Sequence, residues 1–176
     1  MDITETRSSA GAATAVTDLY AAHALGLVRL AVLLVGDRAS AEDIVQDAFF
    51  GLFRRWDRLA DTSTPVAYLR ASVLNGCRTA LRNRTRSRLR LTAAAAAEPP
   101  PAESAEARAL LSEEQRTVAG ALRRLPERQR EALVLRYYLD LSEQEIAATM
   151  GVSRGTVKSA TSRAIAAIGR MLKEES

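Results

Sequence analysis

The sequence has one cysteine, Cys77, and one histidine, His23. A lone thiol excludes an intramolecular disulfide framework and a cysteine-based zinc site. His23 falls on a helical stretch among Leu25, Leu27 and Val28, which suits a structural or surface residue better than a catalyst. Aromatic residues make up 5% of the chain and there are only nine glycines, a composition that argues against a β-rich fold. No segment alternates apolar and polar residues for long enough to form a sheet. No signal peptide is recognisable, and no apolar run approaches the roughly 18 residues of a membrane span. The expectation is a cytosolic protein without membrane insertion. There is no glycine-rich phosphate loop, no metal-ligand cluster and no nucleophile paired with a base. The sequence therefore points away from an enzyme and calls for no cofactor and no metal.

What is present is apolar residues at helical spacing, 47% of the chain by composition. The fold expected is all-α: two small helical domains joined by a flexible linker. Charge divides the same way. Of the net +4, residues 1–90 carry 13 basic and 9 acidic side chains, 91–111 one and three, and 112–176 eleven and nine. Lys158 and Lys173 are the only lysines. This arginine bias arises from a GC-rich genome as readily as from phosphate binding and carries no weight. Residues 1–15 are expected to be disordered and 16–91 to form the first domain. Residues 92–107, with alanines, acids and prolines at 99–101, form the linker. Residues 108–176 form the second domain.

Leu141 to Arg163 has the strongest local signature. Ser142 stands at an N-cap with Glu145 three residues on, the pattern of a capping box. Gly151 suits a left-handed C-cap, and Val152 can fold back on the helix it follows. Ser153 caps the next helix, whose expected buried stripe is Val157, Thr161, Ala164, Ile165, Ile168 and Leu172. Lys158, Ser159, Ser162 and Arg163 fall on the opposite face. Small hydroxyls with cations suit a helix entering the major groove. The pattern is a helix-turn-helix, against the alternative of an αα-hairpin with a solvated face.

In the first domain, a helix is expected from about Val16 to Val35. A second opens at Ser40, capped by its hydroxyl with Asp43 in a capping box. Val45, Ala48, Phe49, Leu52, Phe53, Trp56 and Leu59 form its core stripe. Its other ordered face holds Asp43, Gln46, Asp47, Phe50 and Arg54. A large apolar group rimmed by polar ones suggests a protein partner, unless Phe50 tucks beneath a neighbouring helix. Thr64-Pro65 starts a third helix with a stripe of Val66, Leu69, Val73, Cys77, Ala80 and Leu81. Its other side bears Tyr68, Asn75, Arg78 and Arg82. Six arginines occur between Arg78 and Arg90, among them Arg84, Arg86 and Arg88, with no acid between them. A cationic helix end beside an aromatic and an amide suits opened or single-stranded DNA. Helix-dipole compensation would account for one or two of these arginines. In the second domain, Ala107, Leu110, Leu111, Val118, Ala121, Leu122 and Leu125 form a stripe on a helix near 104–125. A helix from Pro126 to Tyr138 follows.

The segments AEDIVQDAFFGLFRRW, TPVAYLRASVLNGCR and LRRLPERQREALVLRYYLDLSEQEIAATMGVSRGTVKS resemble, in order and spacing, regions 2 and 4 of bacterial extracytoplasmic-function sigma factors. Within that family they are most similar to the SigE-like group of actinobacteria. The resemblance implies a polymerase-docking role, chiefly on the β′ clamp helices, for Asp43, Gln46, Asp47, Phe50 and Arg54. The β flap is a further implied contact. It implies −10 promoter contacts for Tyr68, Asn75, Arg78, Arg82, Arg84 and Arg86, with Asn75 near a flipped base. It implies −35 contacts for Arg154, Gly155, Thr156, Lys158, Ser159, Ser162 and Arg163. The implied partners are core RNA polymerase, promoter DNA and, as in many relatives, an anti-sigma factor that no residue identifies. One departure is Ala160, where similar sequences carry a cation; the helical reading places it on the flank of the DNA-facing side. A free-standing helix-turn-helix regulator is the alternative, and it would need neither the Asp43 face nor the arginine-rich helix end. A DNA-independent helical adaptor acting through the Phe50 face is a third reading.

Overall fold

The computed structural model describes residues 3–59, 64–92 and 113–174, with side chains described over 11–58, 64–90 and 118–173. Among the described residues every regular element is a helix: α1 (Ile3–Val35), α2 (Arg38–Phe53), the single turn α3 (Trp56–Leu59), α4 (Pro65–Thr92), α5 (Glu113–Arg124), α6 (Glu127–Tyr137), α7 (Glu143–Met150) and α8 (Arg154–Glu174). The expected all-α class is the observed one. The linker expected at 92–107 and the stripe residues Ala107, Leu110 and Leu111 lie outside the described residues, apart from Thr92 at the end of α4.

Helix α1 starts at Ile3, well before the start expected near Val16, because its alanines and short polar residues do not break a helix. Over Gly11–Val35 it is long and apolar enough to cross a membrane, with a mean hydropathy of 1.6. This corrects the reading that no such run exists: Asp18 and Arg29 interrupt the segment singly and leave its mean apolar. In the fold, Leu27, Leu30, Ala31 and Leu34 of this helix lie in the core.

The link between α1 and α2 also differs from expectation. Asp37, not Ser40, is the N-cap of α2, and its Oδ1 accepts the Ser40 backbone N–H at 2.8 Å. A carboxylate three residues upstream starts the helix at Arg38, which leaves the Ser40 hydroxyl free for another partner. Val45, Ala48, Phe49 and Leu52 are buried as expected, whereas Phe53 is 38% exposed.

Helix α4 begins with Pro65 at its first position, as expected. Leu69, Val73, Leu74 and Cys77 are at most 1% exposed. Helix α4 crosses α2 closely at Gly76, where an added Cβ would come within 2.7 Å of Ile44 Cγ2. One apolar core runs from Leu30, Leu34, Leu52 and Leu69 through Leu122 and Leu135 to Ile146 and Val157, so the two helical groups pack against each other.

The helix-turn-helix forms as its capping residues require. Ser142 and Glu145 make the reciprocal capping box, with Glu145 N–H donating to Ser142 Oγ at 3.2 Å and Ser142 N–H to Glu145 Oε2 at 2.9 Å. The bonds that the Ser142 N–H and then its hydroxyl donate to Oε2 hold the Glu145 carboxyl below its ordinary pKa. Gly151 takes φ 68° and ψ 39°, and Val152 N–H donates to Ala147 O at 3.0 Å. In α8 the buried positions are Val157, Ala160 and Ala164, while Ile165 and Leu172 are 48% and 43% exposed. The stripe is therefore rotated from the expected one, and Ala160 faces the core at 7% exposure rather than the groove side. Val118 of α5, expected inside, is 52% exposed.

Two predictions follow from this packing. Ala160→Arg places a long cation where a methyl is enclosed, so it should destabilise the chain by about 1–3 kcal/mol in urea unfolding. It should not strengthen DNA binding; an unchanged unfolding midpoint would contradict the register of α8. Cys77 supplies the second. Its thiol is pushed up from 9.0 to about 12, first by burial and then by the charge of Glu131. Stability from the neutral thiol is complete below pH 9, and it falls as the pH climbs towards 12. A disulfide-exchange reagent at pH 8 should therefore modify Cys77 only after denaturant unfolds the chain.

Candidate nucleic-acid and protein interfaces

The exposed face of α2 is built by what lies behind it. Val45, Ala48, Phe49 and Leu52 face inward and fix the rotation of the helix. Asp43, Gln46, Asp47, Phe50 and Arg54 consequently all point outward. Phe50 is 65% exposed, so it does not tuck beneath a neighbour. Phe53, three residues on, extends this apolar spot. Its aromatic character made it read as core from sequence, and only the packing reveals otherwise.

Behind Asp47, α2 and α4 enclose an open groove of about 440 Å³. Asn75 lines it together with Ser72, Thr79 and Asn83, three polar residues the sequence did not single out. Their hydroxyls and amides can meet base edges, and the groove's apolar floor of Ile44, Ala48, Gly76 and Ala80 can take a flat ring. The remaining residues expected to contact the −10 element lie at several different places. Tyr68 is half-buried, and its hydroxyl accepts a hydrogen bond from Arg55 Nη1 at 3.2 Å. Arg82 Nη2 donates to Thr79 Oγ1 at 3.3 Å, at the groove's edge. Arg86 is exposed further along α4.

Arg84 does a different job in this structure. Its Nη1 donates to Val35 O at 2.6 Å, and its Nη2 to Ser40 Oγ at 2.9 Å and to the Asp37 carboxylate. One guanidinium thus joins the end of α1, the start of α2 and the middle of α4. Burial, then repulsion from Arg88, lowers its pKa. Arg78 is also engaged. Its Nε and Nη2 donate to the two Glu131 carboxylate oxygens, each at 2.7 Å, and its Nη1 donates to Asn75 Oδ1 at 3.3 Å. The hydrogen bonds to Glu131 raise its pKa against the opposing effect of burial.

On α8, Arg154, Gly155, Lys158, Ser159, Ser162 and Arg163 are exposed, and Thr156 is half-buried. The Thr156 backbone N–H donates to Ser153 Oγ at 3.1 Å, which confirms Ser153 as the cap of this helix. Ser159 Oγ donates to Thr156 O at 3.0 Å. Lys158 and Ser162 flank a cleft of about 270 Å³ that Arg136 and Tyr137 also line. Tyr137 is 67% exposed beside α8 and is not singled out by the sequence.

The architecture defines a class of all-helical protein with a helix-turn-helix in its second half. Comparison with known proteins identifies the family. Residues 19–87 match the model for sigma-70 region 2, and residues 115–168 the model for sigma-70 region 4. The chain is 33% identical over 148 residues to the RNA polymerase sigma-E factor of Streptomyces avermitilis, covering 84% of this chain and 79% of that protein. It is 30% identical over 171 residues to the ECF RNA polymerase sigma factor SigL of Mycobacterium tuberculosis, covering 95% and 94%. Among solved structures, CnrH in complex with the cytosolic domain of CnrY superposes with a TM-score of 0.72 at 25% identity, over 97% of this chain and 96% of that one. The sigma factor RpoE of Bartonella quintana, in complex with the anti-sigma factor NepR, superposes with a TM-score of 0.68 at 27% identity, over 89% and 97%. The chain belongs to the extracytoplasmic-function family of RNA polymerase sigma factors and is an alternative sigma factor. That family is not a class of enzymes.

The exposed α2 face gives a direct test. The double variant Asp47→Arg/Phe50→Ala should keep the helical content and unfolding midpoint of the wild type, because both residues lie off the buried stripe, while core polymerase binding falls below detection in co-purification. Unfolding of the variant would place Phe50 in the core instead.

Proposed function

We propose that the chain docks on core RNA polymerase through the α2 face, reads the −10 element in the α2–α4 groove and reads the −35 element with α8. The observation that carries this is the presence of all three surfaces on one chain: an apolar spot rimmed by acid and amide, a polar groove, and a cationic recognition face. A free-standing helix-turn-helix regulator needs only the last. In this reading residues 16–91 act as the unit for docking and −10 contact, 92–107 connect, and 108–176 form the −35 unit. The setting is the cytoplasm, and no cofactor takes part.

In the docking complex, Phe50, with Phe53 beside it, inserts into an apolar site on the β′ clamp helices, while Asp43, Asp47, Gln46 and Arg54 set register at the rim. The second domain meets the β flap. Asn75 holds a base once the strands part, with Ser72, Thr79 and Asn83 available to its edge. Tyr68, Arg78, Arg82 and Arg86 supply stacking and backbone charge in the −10 region, while Arg84 serves it only by holding α4 to the α1–α2 junction. On α8, Lys158 and Arg163 approach bases or phosphates, and Ser159 and Ser162 let the helix sit close. Gly155 and the exposed Arg154 bring the helix N-terminus to the backbone, with Thr156 alongside. An anti-sigma factor is a fitting regulator, since a relative of this fold was solved with one.

Promoter-directed transcription with purified core polymerase tests the reading as a whole; a chain that binds DNA without supporting initiation would favour the free-standing regulator. Within it, Asn75→Ala should slow open-complex formation on duplex templates more than it weakens initial binding, because the amide acts after the strands part. Equal defects in both steps would assign Asn75 to duplex contact. Lys158→Ala or Arg163→Ala should cost about 1–3 kcal/mol with relaxed preference at one −35 position if the residue reads a base. If it meets only phosphate, the salt slope of holoenzyme binding should fall by about one.

A further inference from the structure

We propose that Arg55 is a positioning residue for the −10 strand: it holds the Tyr68 side chain across one end of the Asn75 groove, on a seat that Gly51 leaves open. The inference rests on the assignment of that groove to the −10 strand.

Two facing rows of residues make up the groove and its continuation. On α2 the row runs through Asp47, Gly51 and Arg55, at helical spacing. On α4 it runs through Asn75, Ser72 and Tyr68, again one turn apart. Asp47, Ser72 and Asn75 line the groove itself. The helices run in opposite directions here, since Gly76 meets Ile44 while Tyr68 meets Gly51. One turn beyond the groove the two rows touch again. Arg55 Nη1 donates to the Tyr68 hydroxyl at 3.2 Å, and this bond bridges α2 to α4 at the groove's end.

Gly51 explains how the phenol comes so close to α2. An added Cβ there would lie 2.9 Å from the Tyr68 hydroxyl and 3.7 Å from Arg55 Nη1. The helix runs on to Arg54, its C-cap, whose backbone is right-handed at φ −64° and ψ −18°. Gly51 is therefore not the cap, and its φ is not positive, unlike that of Gly36 and Gly151. Inside a helix, a glycine whose backbone freedom goes unused is less stable than alanine. What this position uses is the missing Cβ. Tyr68 is half-buried, so its hydroxyl calls for a partner, and the exposed Arg55 supplies one. Seated on Gly51 and held at the hydroxyl, the ring loses its freedom before the strand arrives. A base stacking on it then has less ordering to impose.

The test uses the holoenzyme on a duplex promoter with 2-aminopurine in the −10 element, with core affinity measured alongside. Arg55→Met keeps the apolar stem and removes the donor, while Tyr68→Phe keeps the ring and removes the acceptor. Each should slow open-complex formation about fivefold, the effect of losing one hydrogen bond, with core affinity unchanged. The double variant should be no slower than either single one, because both lose the same bond. Gly51→Ala should slow the step likewise, while its unfolding midpoint stays at or above that of the wild type. In the free full chain labelled with 3-fluorotyrosine, the Tyr68 fluorine resonance is identified by its loss in Tyr68→Phe. It should move in Arg55→Met and in Gly51→Ala. A stationary resonance in Arg55→Met overturns the proposal, whether or not Gly51→Ala folds. Additive defects in the double variant overturn it too, by giving Arg55 its own contact with DNA. Lost core affinity that accounts for the whole Arg55→Met defect would place Arg55 in the docking surface instead. If Asn75→Ala leaves open-complex formation intact, the groove assignment fails and this role with it. If Asn75→Ala slows that step and neither Arg55→Met nor Tyr68→Phe does, only the positioning role fails.

Discussion

The burial of α4 between α1 and α2 is the constraint on which the first half of the molecule depends. Leu69, Val73, Leu74 and Cys77 occupy its inner side with almost no exposure. Truncating one such leucine to alanine costs about 2–5 kcal/mol, a large part of the stability of a small domain. This packing fixes the rotation of α4, and rotation decides what its polar side chains can do. Asn75, Thr79 and Asn83 are turned to the groove. Arg84, from the same helix, is turned to the α1–α2 junction, where it links three helices. The absence of a Cβ at Gly76 lets α2 come close enough to form the groove wall.

The second half solves a different problem. Helices α7 and α8 are joined by a few residues and depend on local chemistry: a serine cap, a reciprocal glutamate and a left-handed glycine. With the ends settled, Ile146, Met150, Val157, Ala160 and Ala164 close the interior. The face that bears Lys158, Ser159, Ser162 and Arg163 is what this interior leaves outside. A short, rigidly capped unit of this kind holds Lys158 and Arg163 in fixed relation, which a loop could not do.

Legibility in the sequence follows the range of the interactions. The capping box at Ser142 and Glu145, the turn at Gly151, the proline start of α4 and the outward face around Phe50 rest on neighbours within a turn or two, and the sequence displays them. The stripe of α8 was misread because alanine marks neither face: Ala160 reads equally as a small surface residue and a core residue, and Ile165 outweighed it by size. Phe53 reads as core for its aromatic size alone, yet is 38% exposed. Asp37 displaced Ser40 as a cap because two good capping residues stand three apart, and only the backbone decides between them. The pairing of Arg78 with Glu131, and of Arg84 with Val35 and Ser40, joins residues remote in the chain. Counting arginines could establish a cationic helix end, but not which arginines are occupied inside the molecule.

The apolar length of α1 has a consequence for biosynthesis. Its buried side is covered largely by α2 and α4, and α4 is translated after it. Until then, the nascent chain carries a segment that is, by length and composition, long and apolar enough to cross a membrane. Competition for it is therefore kinetic, between later segments still on the ribosome and the cellular factors that capture apolar helices. Single charges at Asp18 and Arg29 sit where they make that segment a poorer substrate for insertion.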